Sequence, residues 1–467
     1  MTQLKSFAPR TRREFLAGCA ACAGCAGLSA RPAAAAAPAE KAKVRLVYAH
    51  PQKPIEGWPY LNYDYEGRKK ELTARLLSAL PGIDFLPASA GDEQDVKKVL
   101  EADREVDGYV VYMLGIPSRV ARAMLSPTRR IVLVDDLYGG TGNFLGTYAY
   151  ARREKLPVAG VSSSRFEDVV QAVKSFECLK RLRSSVILDV LDRNLSAESK
   201  AIEEVFGTAV RKITGEQINE AYNKADRAEA QKWANLWMKQ AKKIVEPSRE
   251  EIGKSGLMYV AMRDLMQQNN ALALTIDCLN LFYGGRLPAY PCLGLFQFNN
   301  DGLVGACEAD LRSTITMLAM TYLTGRPGYI SDPVIDTSQN QVIYAHCVAP
   351  SKVWGPSGAA SPYHIRSHAE DGKGASVRVL LPLGQMTTTL EISPLRKEVV
   401  LHQARTVANI EDDRACRTKL AAVPQDIRKL LGEWDRWGWH RVTYFGDLRQ
   451  PVETLSALLG FNLVVEG

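Results

Sequence analysis

From residue 44 onward, short apolar runs alternate with amphipathic segments. The apolar runs predict buried strands at 44–49, 83–86, 108–112, 131–134 and 158–161. Between them, apolar residues recur at helical spacing over 65–79, 92–102 and 118–125. Strands that alternate with helices predict a doubly wound parallel sheet, which we place in a first α/β domain over 43–165.

The pattern changes twice after this domain. Helical spacing at 166–182 and 309–323, a charged stretch at 215–245 and an apolar run at 271–274 predict a second α/β domain over 166–333. Beyond it, β-rich runs separated by Pro and Gly follow at 342–347, 376–381, 387–392, 398–403 and 442–445. The predicted fold class is therefore α/β, with two doubly wound, Rossmann-like domains followed by a mostly β, barrel-like domain over 334–467.

The first forty residues differ from the rest of the chain. The sequence Thr-Arg-Arg-Glu-Phe-Leu at 11–16 precedes a small-residue apolar stretch and an alanine run at 33–37. This arrangement resembles a twin-arginine signal peptide over 1–40, which implies a periplasmic protein carried by the Tat export machinery after folding. The alternatives are an ordinary apolar N-terminus and a lipoprotein signal. We interpret Cys19, Cys22 and Cys25 as part of this leader rather than as an iron–sulfur motif.

Composition narrows the class of protein. The 467 residues are 46% hydrophobic and 24% charged, as in an average soluble enzyme. Beyond the leader no stretch reaches the roughly 18 uncharged apolar residues of a membrane helix. Of the net charge of +7, residues 1–39 contribute five basic residues and one acid, and the remaining Lys and Arg are mixed with acids. We therefore predict neither a nucleic-acid partner nor a membrane contact after cleavage of the leader.

Six cysteines lie beyond the leader, and their spacing follows no zinc or disulfide framework. They are Cys178, Cys278, Cys292, Cys307, Cys347 and Cys416. An even number in an exported protein permits disulfides, whereas folding in the cytoplasm before export favours buried thiols. The sequence leaves their disulfide status open.

Three segments place acids or a histidine in apolar or glycine-rich surroundings, at 302–310, 324–332 and 437–443. An unpaired charge is costly there and usually has a ligand or a partner. The candidate residues are Glu308, Asp332 and His440. Taken singly, Glu308 could be an acid at a helix start, Asp332 a turn residue before Pro333, and His440 a core histidine with a hydrogen-bond partner.

Together these segments resemble the L-fucose isomerase and L-arabinose isomerase superfamily, whose members interconvert aldoses and ketoses with a manganese ion. The likeness is strongest from about Pro291 onward and includes the C-terminal segment 437–464. In that family, a Glu after a G-x-x-x-C-like turn, an acid after a T/S-G-x-P turn and a His near the C-terminus hold the metal. The resemblance implies that Glu308, Asp332 and His440 bind Mn²⁺ or another divalent metal.

The resemblance further implies a metal-dependent sugar isomerase that works through an ene-diol on a monosaccharide substrate. Glu308 and Asp332 are then the catalytic acid and base, because removing a weakly acidic C–H proton needs a positioned carboxylate. A metal that binds both reacting oxygens stabilises the charge that forms, and an oxygen-rich ligand set favours Mn²⁺ over a closed zinc site. The resemblance also implies a homo-oligomer, either a trimer or a hexamer.

Further polar residues are candidates for substrate or metal contact. His346 ends a predicted strand, and His368 and Glu370 lie in an R-S-H-x-E segment that is similar to one in sugar-isomerase-like proteins. A buried histidine and a solvated loop are the alternatives. We expect Asp310 to be a structural partner rather than a ligand. Two other functions stay open: an exported sugar-binding protein without catalysis, and a metal-dependent enzyme that modifies sugars by another type of reaction.

Overall fold

The computed structural model describes residues 40–52, 57–103, 105–116 and 119–467. The predicted leader, with its arginine pair and its three cysteines, lies outside these residues, so the signal peptide and export stay predictions. Within the described residues, no helix is both long enough and apolar enough to cross a membrane.

The first layer is a five-stranded parallel sheet with strand order β2-β1-β3-β4-β5. Its strands are β1 Ala42–Ala49, β2 Ile83–Ala90, β3 Gly108–Met113, β4 Ile131–Asp135 and β5 Val158–Val161. The helices are α1 Tyr65–Ala79, α2 Glu93–Ala102, α3 Val120–Met124, α4 Thr141–Arg153 and α5 Phe166–Arg183. Alternate residues of one strand enter different cores: Val110 packs on one side of the sheet and Val111 on the other. Burial on both faces explains why these strands are continuously apolar.

The second layer is a four-stranded parallel sheet with strand order β10-β9-β6-β7. Its strands are β6 Val186–Val190, β7 Ala209–Ile213, β9 Ala273–Ile276 and β10 Val304–Cys307; the short strand β8 Lys243–Ile244 belongs to another sheet. The helices are α6 Ala197–Phe206, α7 Gly215–Lys224, α8 Arg227–Gln240, α9 Arg249–Gln268, α10 Cys278–Tyr283, α11 Cys292–Asn300 and α12 Leu311–Thr324. Helix α11 packs on β10 and α9, whereas α12 packs on α5. The charged stretch 215–245 contains two helices, because Ala225 and Asp226 have extended backbones between them.

The third part is mostly strand and closes into a six-stranded antiparallel barrel, β15-β18-β11-β12-β17-β16, because β15 also pairs with β16. Its strands are β11 Tyr329–Asp336, β12 Gln341–His346, β15 Met386–Ser393, β16 Glu398–Asn409, β17 Thr418–Pro424 and β18 Arg441–Phe445. Strands β13 Tyr363–Arg366 and β14 Ser376–Val379 form a small sheet with β8, and β19 Asn462–Val465 adds to β16. Helices α13 Ile427–Glu433 and α14 Arg449–Leu459 complete the chain. The predicted fold class is confirmed.

Strand β11 lies at the junction of sheet and barrel. It pairs with β18 only over residues 329–331, and its pairing with β12 begins at Asp332. Pro333, which has no N–H to donate, lies just past the end of the β18 pairing. The predicted domain limit at 333 falls inside this strand, and the domain boundaries stay a prediction. The split between β11 and β18 places Asp332 beside the residue that precedes β18.

Candidate metal centre

Glu308 lies in a tight turn directly after β10. Glu308 and Ala309 both have left-handed backbones, with φ of 64° and 51°, and the N–H of Ala309 donates to the carbonyl of Ile276 at 3.0 Å. Such a conformation costs about 1 kcal/mol or more for each residue with a side chain, and it clusters at functional sites. The expected place of Glu308 at a helix start is therefore wrong. Asp310 caps α12 instead, accepting from the N–H groups of Arg312 and Ser313 at 3.0 and 3.1 Å.

Asp332 is the fourth residue of β11, so it is not the turn residue that its place before Pro333 suggested. Its backbone is held opposite Ala345 of β12. The indole N–H of Trp439 donates to Asp332 Oδ1 at 2.7 Å. This bond fixes the carboxylate at the split between β11 and β18.

His440 directly precedes β18 and is 6% exposed. Its Nδ1 lies 2.9 Å from Asp310 Oδ2, and because a carboxylate accepts, Nδ1 carries the proton. Its Nε2 lies 3.1 Å from Asp332 Oδ1 and 3.4 Å from Glu308 Oε2 without a hydrogen bond. Burial alone would lower the pKa of His440, but Asp310, Asp332 and Glu308 raise it well above the usual value. A carboxylate that orients an imidazole in this way is typical of metal-binding histidines.

His346, the last residue of β12, is fully buried and differs from His440 in its tautomer. The backbone N–H of Cys347 donates to His346 Nδ1 at 3.0 Å. The proton of the neutral ring is therefore on Nε2, which lies 3.7 Å from Glu308 Oε1. Burial lowers the pKa of His346, and Asp332 and Glu308 only partly oppose this. His346 is thus neutral and offers an N–H donor to the site.

Ligand atoms of Glu308, Asp332, His346 and His440 all lie within 4.8 Å of one another. Burial alone would raise the pKa of both carboxyl groups, but the two histidines hold each below its usual value, so both are charged near neutral pH. The two carboxylates are only partly exposed, and a divalent cation bound between them would offset their charge. Together with the unpartnered Nε2 of His440, they form an oxygen and nitrogen donor set that suits a divalent metal ion.

Two sequence-predicted contacts lie outside this four-residue group. His368 lines a narrow cavity beside Tyr290, and the hydroxyl of Tyr283 donates to the carboxylate of Glu370. His368 is close enough to His346 to lower the pKa of His346. Contact of His368 or Glu370 with a substrate stays a prediction.

Other polar residues support the site and were not found from the sequence, although Asp310 is the structural partner we expected. Ser313 Oγ donates to Asp310 Oδ2 at 2.9 Å and lies 3.4 Å from Glu391 Oε2. Glu391, on β15, is 1% exposed, and burial raises its pKa well above the usual value, which favours the protonated form. An acid at an inward position of a strand was the signal that could have identified Glu391. No comparable feature of the sequence pointed to Trp439.

Asp189 lies near the carboxyl end of β6, in register with Thr275 of β9. It is 2% exposed, and its Oδ1 has no hydrogen-bond partner. Burial raises the pKa of Asp189 to about 7; Arg193 opposes this, and Asp277 and Asp310 add to it. The charged form of Asp189 therefore costs free energy in the folded state.

We expect the Asp189→Asn variant to gain stability relative to the wild type as the pH rises. The folded pKa of about 7 exceeds the usual aspartate pKa of 3.8, so folding takes up a proton between these pH values. The resulting stabilisation is complete below pH 3.8 and is lost as the pH rises through 7. Between about pH 5 and pH 8, the difference in free energy of unfolding should shift by about 2 kcal/mol in favour of the variant. Urea unfolding of the variant and the wild type at both pH values measures this shift.

The control for this experiment is Asp84→Asn, which changes a carboxylate whose side chain is 54% exposed. The stability difference between this variant and the wild type should not change with pH by more than a few tenths of a kcal/mol. A pH-independent difference for Asp189→Asn would show that Asp189 keeps its charge in the fold.

The chain matches no protein-family model. It is similar to curated proteins named sulfoquinovose isomerase. That of Priestia megaterium is 27% identical over 158 residues, which are 33% of this chain and 34% of the relative. That of a Clostridium species is 28% identical over 149 residues, 30% of this chain and 32% of the relative. The chain thus spans about a third of the length of the curated relatives it matches.

Proposed function

We propose that this protein is a metal-dependent sugar isomerase that interconverts an aldose and a ketose. The observation that carries the proposal is the convergence of Glu308, Asp332 and His440, whose ligand atoms lie within 4.8 Å of one another. The names of the relatives support the reaction type, since each is a sulfoquinovose isomerase. The resemblance to the L-fucose and L-arabinose isomerases supports the same reaction.

Glu308, Asp332 and His440 would hold the ion, and Mn²⁺ fits their two carboxylates and one imidazole. The orientation of His440 supports this choice because its Nδ1–H donates to Asp310, which leaves Nε2 facing both acids. The raised pKa of His440 keeps a proton on Nε2 without metal, and the ion would displace that proton on binding. When bound, a divalent ion supplies positive charge to the two sugar oxygens between which the carbonyl moves. His346 is not a ligand in this proposal, because its Nε2 carries a proton.

The chain's own residues account for the proton transfer. The side chains of Glu308 and Asp332 are 25% and 21% exposed, so a sugar can reach both carboxylates. Because both are ionised, either can accept the proton of the C–H bond next to the carbonyl and return it to the neighbouring carbon. Trp439 holds Asp332 Oδ1 in place, and the Nε2–H of His346 can donate to a sugar oxygen.

Replacing His346 distinguishes two roles for this residue, a hydrogen-bond donor and a metal ligand. We expect His346→Ala to keep its metal and to lose kcat/KM by about 100-fold, because one donor to the developing charge is removed. His346→Gln, whose amide N–H reaches close to the position of Nε2, should recover part of the rate. Metal content after gel filtration and kcat/KM are the two measurements. Loss of metal in both variants, to the level of His440→Ala, would make His346 a ligand.

The proposed function is tested on the full chain, purified without chelator. Elemental analysis measures the bound metal, and ketose formation is followed with sulfoquinovose, L-fucose, L-arabinose and glucose; sulfoquinovose comes first because the relatives are named for it. We expect about one divalent ion per chain and conversion of at least one aldose, lost on chelation and restored by Mn²⁺. Bound metal without an isomerised product would indicate another reaction on sugars. A metal-free protein that binds a sugar by calorimetry would indicate a binding protein.

A further inference from the structure

Five of the six cysteines in the described part of the chain form one contiguous cluster directly behind the candidate metal centre. The Sγ atoms of Cys278 and Cys307 are 3.1 Å apart, and those of Cys292 and Cys347 are 3.5 Å apart. Cys347 also contacts Cys307 and Cys416. All five are buried free thiols.

The cluster is contiguous with the metal centre through the backbone. Cys307 is the last residue of β10 and directly precedes Glu308, and Cys347 directly follows His346. Cys278 comes from the adjacent segment, since it begins α10 two residues after the end of β9. Any covalent change at Cys307 therefore acts on the turn that carries Glu308.

A second metal site is the less favourable interpretation of this cluster. A closed zinc–thiolate site needs four ligands around one point, with neighbouring sulfurs about 3.8 Å apart. Among the described residues, the thiols contribute to one metal-compatible group only, Cys307, Cys347 and His346. In that group, Nδ1 of His346 already accepts from the N–H of Cys347. Cys347 contacts three other thiols, but among the described residues no three sulfurs lie close enough together to share one ion.

We propose that Cys278 and Cys307 form a disulfide when the protein meets hydrogen peroxide, and that this bond displaces Glu308 and weakens metal binding. Their sulfurs are the closer pair and need to approach by about 1 Å to reach bonding distance. Cys278 lines a narrow cavity that has about 10 Å³ of space for water, enough for roughly one water-sized molecule. Cys278 therefore borders a space that only a small oxidant can occupy, and a bulky disulfide does not fit there.

The chemistry takes two steps. The sulfur of Cys278 attacks one peroxide oxygen, so that an S–O bond forms, the O–O bond breaks and water leaves a sulfenic acid behind. The sulfur of Cys307 then attacks that sulfenic sulfur, the S–S bond forms, and the S–O bond breaks with release of a second water. Two thiols lose two electrons and two protons, and peroxide is reduced to two waters.

The effect on metal binding follows from the turn after β10 and rests on the proposed function. Cys307 is fixed in register with Ile276 of β9, and Ala309 is tied to the carbonyl of Ile276. Glu308 lies between these two anchors in a strained backbone conformation. A movement of Cys307 by about 1 Å toward Cys278 shifts Glu308 by a similar amount, and metal ligands tolerate deviations of only about 0.2 Å.

The test treats the full chain with millimolar hydrogen peroxide and compares wild type, Cys278→Ser and Cys178→Ser. Cys178 is the matched control, because this buried thiol on α5 donates to the carbonyl of Ala319 and lies outside the cluster. In wild type and Cys178→Ser, we expect an intact mass lower by two hydrogens, a peptide that joins residues 278 and 307, and at least tenfold weaker Mn²⁺ binding, reversed by dithiothreitol. Cys278→Ser should form no such bond and keep its affinity; Cys278→Ala replaces it if the serine variant is unfolded.

Mass and metal binding are read separately, so that two failures can be distinguished. A bond between Cys292 and Cys347, or sulfinic acids without a bond between 278 and 307, overturns the proposal. A bond between 278 and 307 with unchanged Mn²⁺ affinity overturns the link to Glu308. If the untreated protein binds no metal, the proposed function fails, while the peptide map still decides whether the bond forms.

Discussion

The Glu308→Gln variant is expected to lose its metal ion and to isomerise sugars about 1,000-fold more slowly than the wild type. Glutamine has nearly the same shape, so the turn after β10 should keep its conformation, but the negative charge is gone. His440 then faces one carboxylate fewer, since Glu308 Oε2 lies 3.4 Å from its Nε2. Elemental analysis of dialysed protein and kcat/KM for the best sugar measure the two effects.

The matched control is Glu370→Gln, the same change at an acid that the sequence also placed among the candidates. Glu370 accepts a hydrogen bond from the hydroxyl of Tyr283 and lies outside the group of ligand atoms. We expect this variant to keep about one ion per chain. If Glu370→Gln loses the ion while Glu308→Gln keeps it, the four-residue group is not the metal centre.

Removing the carboxylate of Glu466 is expected to lower the free energy of unfolding by about 3 to 5 kcal/mol. Arg441 and Glu466 are both completely buried. The guanidinium of Arg441 donates to both oxygens of Glu466, at 2.9 and 3.1 Å, and His402 Nδ1 lies 3.0 Å from Glu466 Oε1. Glu466→Ala leaves the charge of Arg441 in the core without its partner, which is the costly case for a buried ion pair. Urea unfolding at neutral pH measures the loss.

The control is Glu453→Ala on α14, which breaks an exposed pair with Arg449 whose N–O distance is 2.8 Å. Such a surface pair contributes about 0.5 kcal/mol or less. The two ion pairs have similar N–O distances, but only one is buried. The losses in free energy of unfolding caused by the two substitutions should therefore differ several-fold. Equal losses in the two variants would mean that Arg441 finds water or another partner when Glu466 is removed.

Local patterns predicted the first sheet well. Helix α1 has the bounds expected from its apolar spacing, and all five predicted strands are present. Strands β6 and β10 were missed, because a run of four or five apolar residues does not distinguish a strand from part of a helix. The last part of the chain was predicted as mostly β and barrel-like. The pairings of β18 with β15 and with β11 join segments that lie far apart in the sequence, so no local pattern specifies them.

The candidate site was predicted through its resemblance to a family rather than through spacing. Glu308, Asp332 and His440 come from three separate segments, and only the fold brings them together. The sequence could not distinguish the two histidines, because their tautomers depend on Asp310 in one case and on the N–H of Cys347 in the other. It also assigned a helix-start position to Glu308 when Asp310, two residues later, caps α12.

The centre draws Glu308 from the end of the parallel sheet and its other residues from the barrel, with α12 packed between β10 and β15. An ion bound there would link the second parallel sheet to the barrel, because its ligands come from both. Any separation of the parallel sheet from the barrel would pull these ligands apart and would therefore weaken the binding of the ion. At an ion concentration 1,000 times the Kd, the bound ion would stabilise the closed arrangement of sheet and barrel by about 4 kcal/mol. The dependence of the free energy of unfolding on ion concentration would then measure this coupling between the sheet and the barrel.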